Sequence, residues 1–591
     1  MQPGPNVSDR PPPQSIDPVA DVAAGLGAGP DVVRGALVGV ALAADGRLGL
    51  ATAPGLAWWT AADPLVVLPA LARDLGVRLT WWSAGSVRPL VAAGLRVTAS
   101  WDVAATHRLV HGGHDGDPAV VWAVASGRAP ESRPRSGQLD LLGGGDHSDA
   151  GDDPVQPWAP VRPDGYLRPG WAEVGPPDGP AAAGWAACAL QVAGTHRATL
   201  ADGAAALLTA WSESAAELLA VELELTGLPL DRDTATALIA ERVGPRPVDA
   251  EQARAERARR DAAVLDLLPG AEDTDLRNPA QVRDLLTRIG IDVPDTRSWR
   301  LEPLRETHPL VAALLAWRKA ERIATTYGYG WLDRHVGPDG RLRGTWTGCD
   351  GAAGRMTASA GLHNLPAELR PAVAAEPGHV LVRADLGQVE PRVLAAVSGD
   401  QAFAAAAADP DLYAPVAARL GVERPVAKVA VLAAMYGQTS GAAGEALRGL
   451  ERAYPVAMSY LRAADERGKR GEHVRTYGGR LVRMWPLADP PPPPAVAARG
   501  RFARNAVVQG AAAELFKMWA VAVRAALPDG ARIVLCLHDE LLVHAAEADA
   551  PEVERVLHEV LDRTAARWAP GSGVRFVADV VTVRRWSDAK G

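Results

Sequence analysis

The stretch HVLVRADLGQVEPRVLAAV, residues 379–397, decides how the rest of the chain is read. A β-rich run ends at Asp385, and sequence of helical character follows Gln388. A carboxylate at the C-terminal end of a strand projects from a rigid element into a cleft, which suits a ligand for a hard cation. Taken alone, the segment is equally compatible with a solvated aspartate in a turn. Downstream, ARIVLCLHDELLVHAAE (531–547) interrupts two apolar strand-like runs with His538, Asp539 and Glu540. Three ionisable residues there cost energy unless they form a hairpin tip or bind something. Charged hairpin turns are common, so this segment too leaves both readings open. Between the two lies RPVAKVAVLAAMYG (424–437), where Arg424, Lys428, Leu432 and Tyr436 recur every fourth residue along one side of a helix. Pro425 is tolerable only in a first turn, which puts Arg424 at the helix start. Two cations one turn apart make a grip for a polyphosphate. A plain amphipathic helix would carry a polar stripe as well.

Composition bounds the alternatives. At 591 residues the chain is too long for one core, and 48% apolar with 22% charged residues reads as globular. No unbroken apolar run of membrane-spanning length occurs, so no membrane span is expected. The proline-rich start MQPGPNVSDRPPPQ lacks an apolar h-region and predicts a cytoplasmic protein. Cys188, Cys349 and Cys536 are far apart, which argues against a cysteine zinc cage or a disulfide framework. The net charge of -8 gives no whole-chain attraction for nucleic acid, though local fields can still act. Only five of the 62 basic residues are lysine (319, 428, 469, 517 and 590), so each lysine is worth inspecting.

Along the chain, residues 1–30 read as a disordered tail. Residues 31–215 alternate strand-like and helical runs and predict an α/β domain, with a solvated, mobile Pro/Gly/Asp-rich loop at 129–182. From 183 to 345 the pattern is mostly helical, including a helix opened by Asn278 before Pro279. Residues 346–591 mix strands and helices, and Pro490–Pro494 predicts a surface loop.

The three segments resemble motifs A, B and C of the family A (polymerase I class) DNA polymerases. Motif A, approximately DYSQIELR, is met by Asp385, Gln388, Glu390 and Arg392. Motif B, RxxxKxxxFxxxYG, is met by Arg424, Lys428, Tyr436 and Gly437, and the HDE of motif C by His538, Asp539 and Glu540. Gly354-Arg355 with His363-Asn364-Leu365-Pro366, the series Arg501, Asn505, Gln509, Gly510, and Thr476 with Gly479-Arg480 resemble further family stretches. Leu276–Leu286 with Asn278 and Gln281, then Arg318 with Thr326-Tyr327, resemble its thumb. The resemblance covers residues 220–591 and implies a right-hand polymerase: thumb 216–345, palm 346–397 and 499–591, fingers 398–498. The departures are Leu386, Gly387 and Pro391 in motif A and Leu432 in place of the motif B aromatic.

The resemblance also implies roles. Asp385 and Asp539 would hold two Mg²⁺ ions, Arg424 and Lys428 the triphosphate, with Lys428 able to protonate the leaving pyrophosphate. Tyr436 and Leu432 would stand by the nascent pair, and Glu390 would exclude a ribose 2′-hydroxyl. Arg355, Asn364, Arg501, Asn505, Gln509, His538, Arg480 and Tyr327 would contact DNA or the incoming nucleotide. Arg467, Lys469, Arg470, Arg475, Arg480, Arg483, Arg499, Arg501 and Arg504 would supply a local positive field. The implied partners are primed template DNA and dNTPs, the implied state a monomer, and the implied place the nucleoid.

Family A enzymes often carry a ribonuclease H-like 3′–5′ exonuclease ahead of the thumb. That chemistry needs about four carboxylates for two metals. GALVGVALAADGRLGLA (35–51) has no DxE, and WWSAGSVRPLVAAG (81–94) has no aspartate. Asp102 and Asp202 are the plausible survivors, and Asp102 reads equally well as a plain surface residue. The combination resembles the shorter actinobacterial-type bifunctional exonuclease/polymerases with a degenerate exonuclease domain, and no 5′-nuclease domain is expected. The alternative is a lapsed polymerase that binds DNA ends.

Overall fold

The computed structural model describes residues 22–24, 34–53, 55–131, 159–168, 170–201, 203–350, 353–437 and 443–589. The expected tail falls almost wholly outside these, although Val22 is fully buried in the N-terminal core.

Strands β1 (Leu37–Leu42), β2 (Leu48–Ala53), β3 (Leu56–Thr60), β4 (Arg78–Trp81) and β5 (Ser100–Asp102) form one sheet in the order β3-β2-β1-β4-β5. β1, β2 and β3 are antiparallel neighbours, whereas β4 and β5 run parallel to β1. Helix α1 (Val103–His111) follows β5 directly, and α2 (Gly179–Thr199) packs across the sheet. The contact is made at backbone distance. A Cβ added to Gly39 would lie 2.3 Å from the carbonyl oxygen of Ala186, and one on Gly49 2.2 Å from the carbonyl carbon of Ala182. This is why the strands carry glycine and the facing helix reads PAAAGWAACAL. The α/β expectation is met here.

α3 (Ala204–Thr226) is a single helix that serves two cores. Leu218 and Val221 pack into the N-terminal core, while Ala216, Leu219, Ala220 and Leu223 pack into the main one. The domain boundary expected at 215/216 therefore cuts a continuous helix. Asn278 caps the helix Pro279–Arg288 as expected, its side chain accepting the Ala280 N–H at 3.0 Å. α4 (Pro309–Thr326) follows.

The second sheet is built from β6 (His379–Leu386), which α5 (Val389–Ser398) follows, and from strands near the C-terminus. Between them lie α6 (Arg424–Tyr436), α7 (Pro455–Arg470) and the long α8 (Pro493–Ala526). β7 (Arg532–Cys536), β8 (Glu540–Ala546), α9 (Ala550–Trp568) and β9 (Ala578–Val583) complete the unit, with sheet order β7-β8-β6-β9, all antiparallel. α8 puts Ala503, Ala506 and Val507 into the cluster around α6 and α7, and Leu515, Trp519 and Val523 into the main core. The boundary expected at 498/499 falls inside it for that reason.

Two further expectations are corrected. Pro493 and Pro494 occupy the first turn of α8, where the missing N–H costs nothing, so the proline run is only partly loop. Within 129–182, residues 132–158 and 169 lie outside the description, but 159–168 and 170–182 take defined structure. Trp122 donates to Gly165, Arg168 is buried, and α2 begins at Gly179. By length and composition α3 and α8 could cross a membrane, yet 61% and 78% of their most apolar stretches are buried inside the protein, as in core helices.

Candidate active site

β6 lies between β8 and β9, and the register sets Asp385 opposite Glu540 on one side and Asp579 on the other. Val380, Leu381, Val382 and Ala384 anchor the strand in the core. Leu386 donates its N–H to the carbonyl of Asp539 at 2.7 Å, so the turn between β7 and β8 is tied to the end of β6. The chain then leaves the sheet through Gln388, a non-glycine residue at φ 57°. That left-handed backbone costs roughly 1 kcal/mol or more and is held by the side chain. Its Nε2 donates to Asp411 at 2.8 Å, and its Oε1 accepts from the Leu412 N–H at 2.9 Å and from Arg392 at 3.2 Å.

Arg383, 3% exposed, stands behind the aspartates. It contacts Asp385 and forms an ion pair with Glu540 at 2.9 Å. Glu540 also accepts from Trp586 Nε1 at 2.6 Å, which commits it to the interior. Asp539, at the tip of the β7–β8 turn, is exposed to the cleft. Loss of solvent on the cleft floor, then the negative charge of Asp385, pushes its carboxyl up to about 6, against the pull of Arg355. Two crowded carboxylates with an all-oxygen donor set fit a hard divalent cation, which would relieve that repulsion.

α6 joins the site at both ends. Pro425 sits in its first turn as expected. Arg424 pairs with Asp411 at 2.6 Å, the same carboxylate that Gln388 holds. Lys428 is exposed one turn on, and Leu432 is half-buried against the cluster formed with α7. Tyr436 donates its hydroxyl to Glu390 at 3.0 Å, and Arg355 donates to the other oxygen of Glu390 at 2.8 Å. His538 stacks on His363 with ring centroids 5.4 Å apart, and burial lowers its pKa to about 4. Asn364 is exposed beside His363. On α8, Asn505 and Gln509 are half-buried one turn apart, and Arg501 lies exposed against Gly437.

Several expected site residues lie elsewhere. Tyr327 is 2% exposed, packs edge-on against Trp331, and gives its hydroxyl to the carbonyls of Gly361 and Asn364, which places it in the interior rather than on the cleft surface. Arg480 is 3% exposed and paired with the buried Glu213 at 2.7 Å, alongside Lys517, which contacts the same carboxylate. Both cations stitch α3 to α8 and the Thr476 turn. The expected basic cluster is partly neutralised: Arg470 pairs with Glu472 at 2.6 Å and Lys469 with Asp465 at 2.6 Å. Arg475, Arg483, Arg499 and Arg504 donate to backbone carbonyls. Asp411 and Arg383 were missed. Asp411 follows Pro410 in an ordinary-looking turn, but an arginine two residues before the motif A aspartate was a visible signal.

In the N-terminal unit, Asp102 is a helix cap. Its carboxylate accepts the N–H groups of Ala105 at 2.8 Å and Ala84 at 2.6 Å, and it is fully buried rather than on the surface. Asp202 lies outside the described residues.

Comparisons with known proteins agree with this geometry. The sequence model for "DNA polymerase family A" matches residues 251–588. DNA polymerase I of Chloroflexus aurantiacus is 33% identical over 293 residues, which is 44% of this chain and 31% of that protein. The thermostable DNA polymerase I of Thermus aquaticus is 31% identical over 291 residues, 44% of this chain and 35% of that one. The aligned stretch thus spans about a third of the length of these relatives. In fold, the chain is similar to the POL domain of Pol1 from M. smegmatis, solved in complex with DNA primer-template and dNTP. The TM-score is 0.66 and the identity 22%, covering 98% of this chain and 100% of that one. With all three motifs inside the matched region, the chain belongs to DNA polymerase family A.

Proposed function

We propose that the chain is a template-directed DNA polymerase that adds deoxynucleotides to a primer 3′-hydroxyl, acting as a monomer in repair or replication. The observation that carries this reading is the Asp385–Asp539 pair, locked by the Leu386 hydrogen bond and linked through Arg355 and Glu390 to Tyr436 of α6.

Asp385 and Asp539 would hold Mg²⁺, two ions of which supply activation of the attacking hydroxyl and charge stabilisation at the leaving pyrophosphate. Arg424 and Lys428 grip the triphosphate. Arg424 must first exchange Asp411 for phosphate, a swap of one anion for another. Lys428 gives a proton to the departing pyrophosphate oxygen. Glu390, pinned by Tyr436 and Arg355, occupies the space a 2′-hydroxyl would need. Arg355, Asn364, Arg501, Asn505, Gln509 and His538 contact the template-primer. Leu432 offers an aliphatic surface to the nucleotide where an aromatic ring would stack.

The thumb, palm and fingers division follows, with borders moved to the ends of α3 and α8. The sheet of β1–β5 is read as a ribonuclease H-like remnant without proofreading. β1 and β4 carry no carboxylate, and Asp102 is used as a cap.

Primer extension with all four dNTPs and with none tests this. Template-directed growth with an unshortened primer in the dNTP-free lane supports both halves. Absence of growth by protein that binds primed DNA contradicts the first, and primer shortening the second.

A further inference from the structure

α1 carries His107 and His111 one helical turn apart, and α2 lays His196 against them. Each offers a ring nitrogen, and these three atoms lie within 4.8 Å of one another. The ring centroids are 4.6, 5.7 and 6.0 Å apart.

The hydrogen bonding leaves this cluster with lone pairs to spare. Thr106 Oγ1 donates to the helix carbonyl of Asp102 at 2.9 Å and lies 3.0 Å from His196 Nδ1; with Thr106 as the acceptor of that second bond, His196 keeps a bare Nε2. Among the described residues, His196 Nε2 and His107 Nδ1 are both buried without a hydrogen-bond partner. A buried polar atom left unpaired is costly, and core histidines ordinarily satisfy both nitrogens. Burial also holds all three imidazoles below their ordinary pKa, hence neutral and able to donate a lone pair. Asp115 faces the cluster and favours a cation; Arg108, Arg475 and Arg483 oppose one.

We propose that His107, His111 and His196 form a Zn²⁺ site that clasps α1 to α2. Three neutral imidazole nitrogens suit Zn²⁺ and not Mg²⁺, and the half-exposed edge of His111 leaves a fourth position open to solvent. Tetrahedral Zn–N bonds of about 2.0–2.1 Å put the nitrogens about 3.3 Å apart, so modest ring rotations close the site. The clasp lies at a seam. The carbonyls of Val110 and His111 accept Arg475 at 3.3 Å and Arg483 at 2.7 Å from the β-turn beside α7. Metal at the end of α1 therefore steadies the attachment of the N-terminal unit to the polymerase body. The proposal is independent of the reading of the polymerase site.

The test uses the full chain stripped of metal by a chelator, in excess Mg²⁺ to cover the aspartates, with Co²⁺ as probe. One equivalent of Co²⁺ should give the intense visible bands of tetrahedral coordination, displaced by Zn²⁺. His111→Ala, whose ring is half-exposed and whose loss the fold tolerates best, should weaken Co²⁺ binding about 100-fold or more with primer extension unchanged. His107→Gln and His196→Gln should do the same. Absence of tetrahedral bands in the unmodified chain, or an unchanged spectrum and affinity in folded His111→Ala, overturns the site.

Discussion

The backbone N–H of Leu386 donates to the carbonyl oxygen of Asp539 at 2.7 Å. This one bond sets the end of β6 against the β7–β8 turn and fixes the two cleft aspartates relative to each other without using either carboxylate. Arg383 supports the pair from below. Removing it leaves Glu540 buried with an unpaired charge, so Arg383→Met should cost roughly 3 kcal/mol of unfolding free energy. Chemical denaturation should show the loss, and the double variant with Glu540→Gln should recover most of it. An additive double variant would mean that the two residues are not coupled.

Asp411 competes with the triphosphate for Arg424. The pair is half-exposed and worth about 1 kcal/mol at most, so Asp411→Asn should lower the KM for dNTPs roughly fivefold with kcat little changed. Steady-state kinetics decide it. A raised KM would place Asp411 in support of the site through Gln388 instead.

Glu390 is held from two sides, by Tyr436 and Arg355. Glu390→Ala should raise ribonucleotide incorporation relative to deoxynucleotide by about 100-fold, the range a packed polar contact can discriminate. Tyr436→Phe frees one side only and should give a smaller shift of the same sign. Competition assays with matched rNTP and dNTP measure both ratios.

Much of this site was legible because it is written in local spacing. Asp385 at a strand end, Arg424 before a first-turn proline and Asn278 as a cap each depend on neighbours within a few residues. What failed depends on partners far along the chain. The pairing of Arg480 with Glu213 and the burial of Tyr327 under Gly361 and Asn364 leave no trace in spacing. Two expected domain borders fall inside helices because α3 and α8 each serve two cores, so composition does not change there. The step from His107 to His111 was visible, but His196 arrives from another helix.

His107 and His196 also give a pH dependence. Burial lowers their pKa values to about 4 and about 3, below the value of about 6.5 in the unfolded chain. The unfolded state therefore binds more protons in that window. Stability is fully present above about pH 6.5 and is lost as pH falls toward 4. The metal-free protein should lose about 4 kcal/mol between pH 7 and 5, about 2 from each histidine, and the double variant His107→Gln/His196→Gln should lose less. Parallel melting curves for the two would contradict this assignment.

The most direct test of the central claim is single-turnover nucleotide addition by the unmodified chain, Asp385→Ala and Asp539→Ala on one primed template, with DNA affinity measured alongside. The account predicts a loss of at least about 1,000-fold in the rate of addition for either variant, with primer-template binding retained. Addition at near-normal rate in either variant would show that the two aspartates are not where the chemistry happens.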